Sequence, residues 1–222
     1  MLKAIIFDFD GTIADTLPAL CEGVNLTMAK YGYPLHDEAA ILRFINNGAR
    51  KLIQRAMPEH LQADEELVTR VLADYDAFYG QVYHHTDRAY DGLIDVIRAL
   101  HDDLGLQIAV LSNKQDAFVK RLCAQILPNG YCQAAVGVTQ GMPTKPDARL
   151  TQSVLDTLGV AASECVMVGD SDIDLRTAQN AGLHHVCVTW GFRDEAFLRE
   201  KGAEQLAHTP QELFAILEKM TR

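Results

Sequence analysis

The sequence is short of everything that marks a stapled secreted fold, a membrane anchor or a polyanion-binding surface. Its five cysteines (Cys21, Cys123, Cys132, Cys165, Cys187) are odd in number, scattered, and form no CxxC pair. That spacing argues against a zinc site or a disulfide framework, and the thiols read as small apolar residues of a reduced compartment. No apolar run approaches the ~18 residues of a membrane span. The first residues lead straight into Lys3-Ala4-Ile5-Ile6-Phe7, with no basic-then-apolar leader and no small-residue cleavage site, so the cytoplasm is the expected compartment. Basic residues are the scarcer sign, 20 Lys and Arg against 30 Asp and Glu, for a net charge of −10. This balance speaks against nucleic acid or an anionic membrane as partner. A chain so acidic must build a local positive site to bind a small anion, and a metal ion would supply one.

What is present is a globular composition, 48% hydrophobic and 23% charged over 222 residues. A chain of this length suits one large domain or a core with a smaller insert, and buries roughly 70% of its unfolded surface without staples. Ala4 to Phe9 is a short apolar run that stops at Asp10-Gly11, the pattern of a buried strand ending in a turn. Similar runs recur at Leu106–Leu111, Ala134–Val138, Cys165–Val168 and His185–Thr189. Helical spacing separates them: Leu93, Val96, Ile97 and Leu100 before Gly105, then Leu150, Val154, Leu155 and Leu158 before Gly159. Apolar strands alternating with helices predict an α/β fold with a mostly parallel, Rossmann-like sheet covered on both faces.

Residues 15–85 break that rhythm and hold no convincing strand. Leu17, Cys21, Val24 and Met28 mark one helix, ended by Gly32 and Pro34. Ile41, Leu42 and Ile45 suggest a second, and Leu52, Ile53, Ala56 and Met57 a third that stops at Pro58. A longer one follows from Leu67 to Tyr79. The expected organisation is therefore a core of residues 1–14 and 86–222 with a helical insert, a lid, at 15–85.

Four short stretches carry chemistry. Phe7-Asp8-Phe9-Asp10-Gly11-Thr12 places two carboxylates two residues apart at a strand end, where side chains i and i+2 point the same way. Like charges converging there need a cation or a proton; the alternative is an ordinary Asp-Gly turn with Asp8 solvated. Ser112-Asn113 after the second sheet strand offers a hydroxyl and turn amides, and Lys145-Pro146-Asp147 offers a cation at a helix start. Gly169-Asp170-Ser171-Asp172-Ile173-Asp174 ends another strand, and of its acids Asp172 is read as a charge on the helix dipole. Each stretch alone has a structural explanation. Together, each at an expected strand end or helix start, they suggest one site at the carboxyl edge of the sheet.

In this order the motifs resemble those of the haloacid dehalogenase superfamily of phosphohydrolases: DxDGT at Asp8–Thr12, a strand-end serine at Ser112, the motif lysine at Lys145, and GDSxxD at Gly169–Asp174. The insert after the first motif looks like that family's C1-type cap. Within the family the chain is most similar to phosphoglycolate phosphatases, through DFDGTIADT at the start and Ile45-Asn46-Asn47-Gly48-Ala49-Arg50 in the cap. The resemblance implies an Mg²⁺-dependent phosphatase in which Asp8 attacks phosphorus to form an aspartyl-phosphate and Asp10 acts as acid and base. It implies metal ligation by Asp8, the Asp10 backbone carbonyl and Asp170, with Asp174 supporting the metal or orienting Lys145. Ser112, Asn113 and Lys145 would hold the phosphoryl oxygens, with Gly11 and Thr12 shaping the Asp10 loop. The chain departs from the family pattern in having Ala148 where proline is frequent, and in lacking an acidic residue in the stretch Gly137–Thr144.

Arg50 is the cap residue expected to meet the substrate's distal group, since arginine matches a carboxylate with two parallel donors. Lys114 is read as equally able to face substrate or solvent. The pairs His84-His85 and His184-His185 lack metal spacing and are expected to be structural, as are Trp190 and Phe192. The expected substrate is a small phosphomonoester, 2-phosphoglycolate first, and the chain a monomer or homodimer. Rival readings are a β-phosphoglucomutase-like sugar phosphomutase, a phosphonate hydrolase using a lid lysine (Lys30 or Lys51), and a non-enzymatic phosphate-binding regulator.

Overall fold

A computed structural model describes residues 1–86, 88–139 and 141–222. Six strands form one sheet: β1 (Ala4–Phe7), β2 (Gln107–Gln115), β3 (Cys132–Val138), β4 (Cys165–Gly169), β5 (His184–Val188) and β6 (Leu206–Ala207). Their order is β3-β2-β1-β4-β5-β6, and every pairing among the described residues is parallel. The sheet is thus wholly parallel where the sequence led us to expect mostly parallel.

Strand alternation explains why both faces are apolar. Ile5 and Phe7 of β1, Ile108 and Val110 of β2, and Val166 and Val168 of β4 enter one core. The intervening Ala4 and Ile6, Ala109 and Leu111, and Cys165 and Met167 enter the other. Helices α5 (Leu93–Asp102), α6 (Asp116–Ile126) and α10 (Pro210–Met220) supply the first core with Ile97, Leu122 and Leu213. Helices α7 (Ala148–Leu158) and α8 (Asp172–Ala181) supply the second with Val154 and Ala178.

Before α5 lie α1 (Leu17–Lys30), α2 (Glu38–Phe44), α3 (Gly48–Ala56) and α4 (Glu65–Val82). They share an apolar cluster of their own, in which Leu20, Val24, Ile53, Val71 and Tyr79 meet, and Phe118 of α6 joins it. The caps follow from residue type. Asp37 accepts from the amide of Ala40 at the start of α2, and Asp64 from that of Leu67 at the start of α4. Among the described residues no helix is long and apolar enough to cross a membrane.

Two sequence expectations need correction. The second sheet strand does not end before Ser112: β2 continues to Gln115, with a register shift against β3 between Leu111 and Gln115. The bulge lets the chain turn its polar residues toward the sheet edge without leaving the strand. The C-terminal third also holds β6, α9 (Glu195–Glu200) and α10, for which the sequence showed no signal we recognised. A strand of two residues has no periodicity to detect. Gln140, in the stretch noted for its missing acid, lies outside the described residues.

Candidate active site

The register of the central strands decides where the acids meet. Phe7 of β1 lies beside Val110 of β2 and Val168 of β4, so Asp8 emerges level with the carboxyl end of β4 and just short of Ser112 in β2. At β1 the sheet order reverses, and this is where an open parallel sheet has its crevice. Asp8, Asp170 and Asp174 each offer an oxygen there, all within 4.8 Å of one another, and all three residues are buried.

Each acid is held from a different direction. Asp8 Oδ1 accepts from the amide of Phe9 at 2.7 Å and lies 2.9 Å from Lys145 Nζ. Lys145 Nζ also donates to Asp174 Oδ1 at 2.7 Å. The other oxygen of Asp174 accepts from the Ser171 hydroxyl at 2.6 Å and the Ser171 amide at 3.2 Å, closing the first turn of α8. Asp170 accepts from the Thr12 hydroxyl at 3.1 Å and the Phe192 amide at 2.7 Å. Asn113 fixes Lys145 by pairing with its backbone: Oδ1 accepts from the Lys145 amide at 2.7 Å, and Nδ2 donates to the Lys145 carbonyl at 3.1 Å. Ser112 is buried alongside.

Close packing dictates the glycine of the first motif. Gly11 has φ +77°, and a Cβ there would fall 2.5 Å from Asp170 Oδ2. Thr12 both donates to Asp170 and, through its carbonyl, accepts from the Trp190 indole at 3.1 Å. Trp190 is therefore bonded to the loop that follows β1, in addition to packing against the core.

The electrostatics call for a cation. Burial, with repulsion from Asp174 and Asp10, raises Asp8 to about 7 against the pull of Lys145. Burial, with Asp174 and Asp8, raises Asp170 to about 8. Burial alone would lower Lys145, but Asp174 and Asp8 outweigh it and hold the ammonium above its ordinary range. With all four carboxyl groups (Asp8, Asp10, Asp170, Asp174) ionised, the two ammoniums (Lys114, Lys145) leave two negative charges uncompensated. An all-oxygen donor set with that deficit fits a hard divalent cation.

Asp10 points elsewhere. Its Oδ1 forms an ion pair with Lys114 Nζ at 3.0 Å whose angles fall short of a hydrogen bond, and its carboxylate is not part of the acid cluster. Lys114 is buried and also donates to the Tyr79 hydroxyl at 2.9 Å. Burial opposes its charge, yet Asp10 and Tyr79 raise it above the ordinary lysine range. Sequence reasoning left Lys114 undecided. The sequence carries no local signal for it, because the register shift between Leu111 and Gln115 interrupts regular strand alternation.

Asp8, Asp10, Ser112, Asn113, Lys114 and Lys145 border one cleft, with about 680 Å³ of empty space continuous with solvent, and Asp170 and Asp174 lie behind this lining. Its opposite wall comes from α1, α3 and α4, with Leu20, Leu52, Tyr75 and Tyr79. Arg50 does not reach it. Successive helical residues are turned by about 100°, so the lining residues Gly48 and Leu52 share a side of α3 while Arg50 faces away. Its guanidinium bonds to Glu65 and, at 3.1 Å, to Thr69. Arg50, expected to meet the substrate's distal group, is thus placed outside the lining of this cleft. Lys30 and Lys51, the lysines expected of a phosphonate hydrolase, are occupied by Asp74 and Gln54 and do not line the cleft. His85 pairs with Glu22, and His184 bonds the Ser163 carbonyl.

Comparison with known proteins bears on this site. Residues 5–188 match the family described as haloacid dehalogenase-like hydrolase. The chain is 30% identical over 220 residues to the phosphoglycolate phosphatase of Aliivibrio fischeri, covering 97% of this chain and 96% of that protein. It is 32% identical over 200 residues to the phosphoglycolate phosphatase of Rhodospirillum rubrum, covering 88% and 83%. A solved structure from Lactobacillus delbrueckii subsp. bulgaricus, described provisionally as a phosphoglycolate phosphatase, superposes with a TM-score of 0.89 at 29% identity over 97% of this chain and 98% of that one.

Proposed function

The chain belongs to the haloacid dehalogenase-like hydrolases, and on that premise we propose that it is a phosphatase acting on a small phosphomonoester, with 2-phosphoglycolate the leading candidate. The observation that carries this reading is the convergence of Asp8, Asp170 and Asp174 around Lys145, with Asp10 on a neighbouring wall of the same cleft. Two relatives at 30% and 32% identity are phosphoglycolate phosphatases, which favours that substrate.

The chemistry assigns one task to each group. A carboxylate oxygen of Asp8 attacks phosphorus, the ester oxygen leaves, and an aspartyl-phosphate forms. Asp10 gives its proton to the leaving oxygen and later takes one from the water that hydrolyses the acyl-phosphate, so the enzyme returns to its starting state. Lys145, Ser112 and the Asn113 amide hold the phosphoryl oxygens, and Asp174 keeps the Lys145 ammonium in place. A divalent cation such as Mg²⁺ would be held by Asp8, Asp170 and the Asp10 carbonyl with Asp174 in support, and would supply the charge compensation that lets an anion approach a phosphate dianion. Residues 15–85 act as a lid over residues 1–14 and 86–222, excluding water during transfer and opening for release. Five free thiols suit the reducing cytoplasm.

The test is Mg²⁺-dependent phosphate release from p-nitrophenyl phosphate and 2-phosphoglycolate by the intact chain and by Asp8→Asn. Loss of turnover in Asp8→Asn is expected. Turnover at the wild-type rate in that variant removes Asp8 as nucleophile.

A further inference from the structure

Lys114 is charged, buried and only partly used. Its side chain is 5% exposed, and its Nζ meets Asp10 at 3.0 Å and the Tyr79 hydroxyl at 2.9 Å. An ammonium has three N–H donors. Among the described residues no third acceptor stands within bonding distance, and the side chain borders the cleft. Leu20, Leu52, Tyr75 and Phe118 make the lining largely apolar, and of its polar members on this side Asp76 is an acid while Asn46 and Gln115 are uncharged, so none offers a cation to a carboxylate. Lys145, the other cation of the lining, is held by Asp8 and Asp174, and Arg50 of α3 is turned away and paired with Glu65.

We propose that Lys114 is the specificity-determining residue of the cleft, taking a carboxylate borne on the substrate carbon that carries the phosphoester. This rests on the phosphomonoester reading above and deepens it. Asp10 serves the leaving oxygen. In an ester of a 2-hydroxy acid, the carboxyl carbon lies two bonds from that oxygen. An ammonium already in contact with Asp10 therefore stands where the carboxylate arrives, and it offers its free donor without giving up Asp10. The Tyr79 hydroxyl comes from α4, so the ammonium is fully oriented only while the lid helices pack over the sheet edge. Charge recognition and lid closure then share one side chain. A lining that is largely apolar and carries Asp76 as an acid disfavours a second negative charge away from Lys114, which restricts the substrate class to small esters with the acid group next to the ester carbon.

The experiment compares 2-phosphoglycolate with ethyl phosphate, which has the same phosphate and carbon number but no carboxylate. Binding is measured by titration calorimetry with Mg²⁺ in an Asp8→Asn background, which needs no turnover. Turnover is measured as kcat/KM in chains with Asp8 intact. The Asp8→Asn protein is expected to favour 2-phosphoglycolate roughly ten- to hundredfold, the worth of one charged hydrogen bond. Adding Lys114→Met brings that ratio close to one, and Lys114→Gln, which keeps a donor for Asp10 and Tyr79 but no charge, does the same. Arg50→Ala leaves the ratio where it was. A ratio that persists in both Lys114 variants, or one that collapses in Arg50→Ala, overturns the proposal while leaving the phosphatase reading intact. An intact chain that neither binds nor hydrolyses either ester overturns both.

Discussion

Replacing Lys145 with methionine tests whether one buried ammonium is what lets the acid cluster fold. Lys145 is 3% exposed, and its Nζ lies 2.9 Å from Asp8 and 2.7 Å from Asp174. Methionine keeps much of the apolar stem and removes the charge. Asp8, Asp170 and Asp174 then remain within 4.8 Å of one another with their main counter-charge gone. Breaking a buried ion pair from one side costs about 3–5 kcal/mol, because the surviving charge is stranded. Proton uptake limits the loss, since burial already places Asp8 at about 7 and Asp170 at about 8. The lower end, about 3 kcal/mol, is therefore the expectation. For a chain of this size that is a drop in Tm of about 6–12 °C. Urea and thermal unfolding would be followed in chelator and again with Mg²⁺. Removing a like charge tightens cation binding, so the deficit shrinks when Mg²⁺ is present. Lys219→Met, at an exposed lysine, serves as control and stays within about 0.5 kcal/mol. A Lys145→Met protein that melts with the wild type in chelator refutes the balance of charges described here. A deficit indifferent to Mg²⁺ refutes the cation site.

Two further outcomes follow from packing and titration. In Gly191→Ala the new Cβ would lie 2.2 Å from the Gly11 carbonyl oxygen and 2.4 Å from Asp170 Cβ. It should cost about 1–3 kcal/mol in urea unfolding and, by displacing Asp170, lower kcat/KM by about a hundredfold. Gly105→Ala meets nothing within 4 Å and should lose only the roughly 1–2 kcal/mol of its left-handed backbone, with kcat/KM unchanged. His208 is held by Glu195 and Glu212, which raise it above its ordinary 6.5. A raised histidine stabilises the fold fully below its unfolded value and loses that contribution as pH rises through its folded value. The urea midpoint of His208→Gln should therefore fall below that of the wild type at acidic pH and rejoin it on the alkaline side. Curves that stay parallel across that range contradict the pairing.

Much of this protein was legible without coordinates, because local rules sufficed. The apolar runs ending in Asp10-Gly11 and at Gly169 announce buried strands, and β1 and β4 lie there. Helical spacing from Leu17 to Met28 and from Leu67 to Tyr79 announces α1 and α4, since a single turn of sequence shows which face is apolar. The chemical identities of Asp8, Asp10, Ser112, Lys145 and Asp170 could likewise be read from motif and order. What tertiary structure alone decided is direction. Arg50 and Lys114 are both cations beside the expected site, yet α3 turns Arg50 toward Glu65 while the bulged end of β2 carries Lys114 inward to Asp10 and Tyr79. Helix rotation and strand register are set by the packing of distant segments, residues 79 and 114 or 12 and 190, and no window of sequence contains both partners. The residues available to the site are written in the chain; which of them face one another is a property of the packed core.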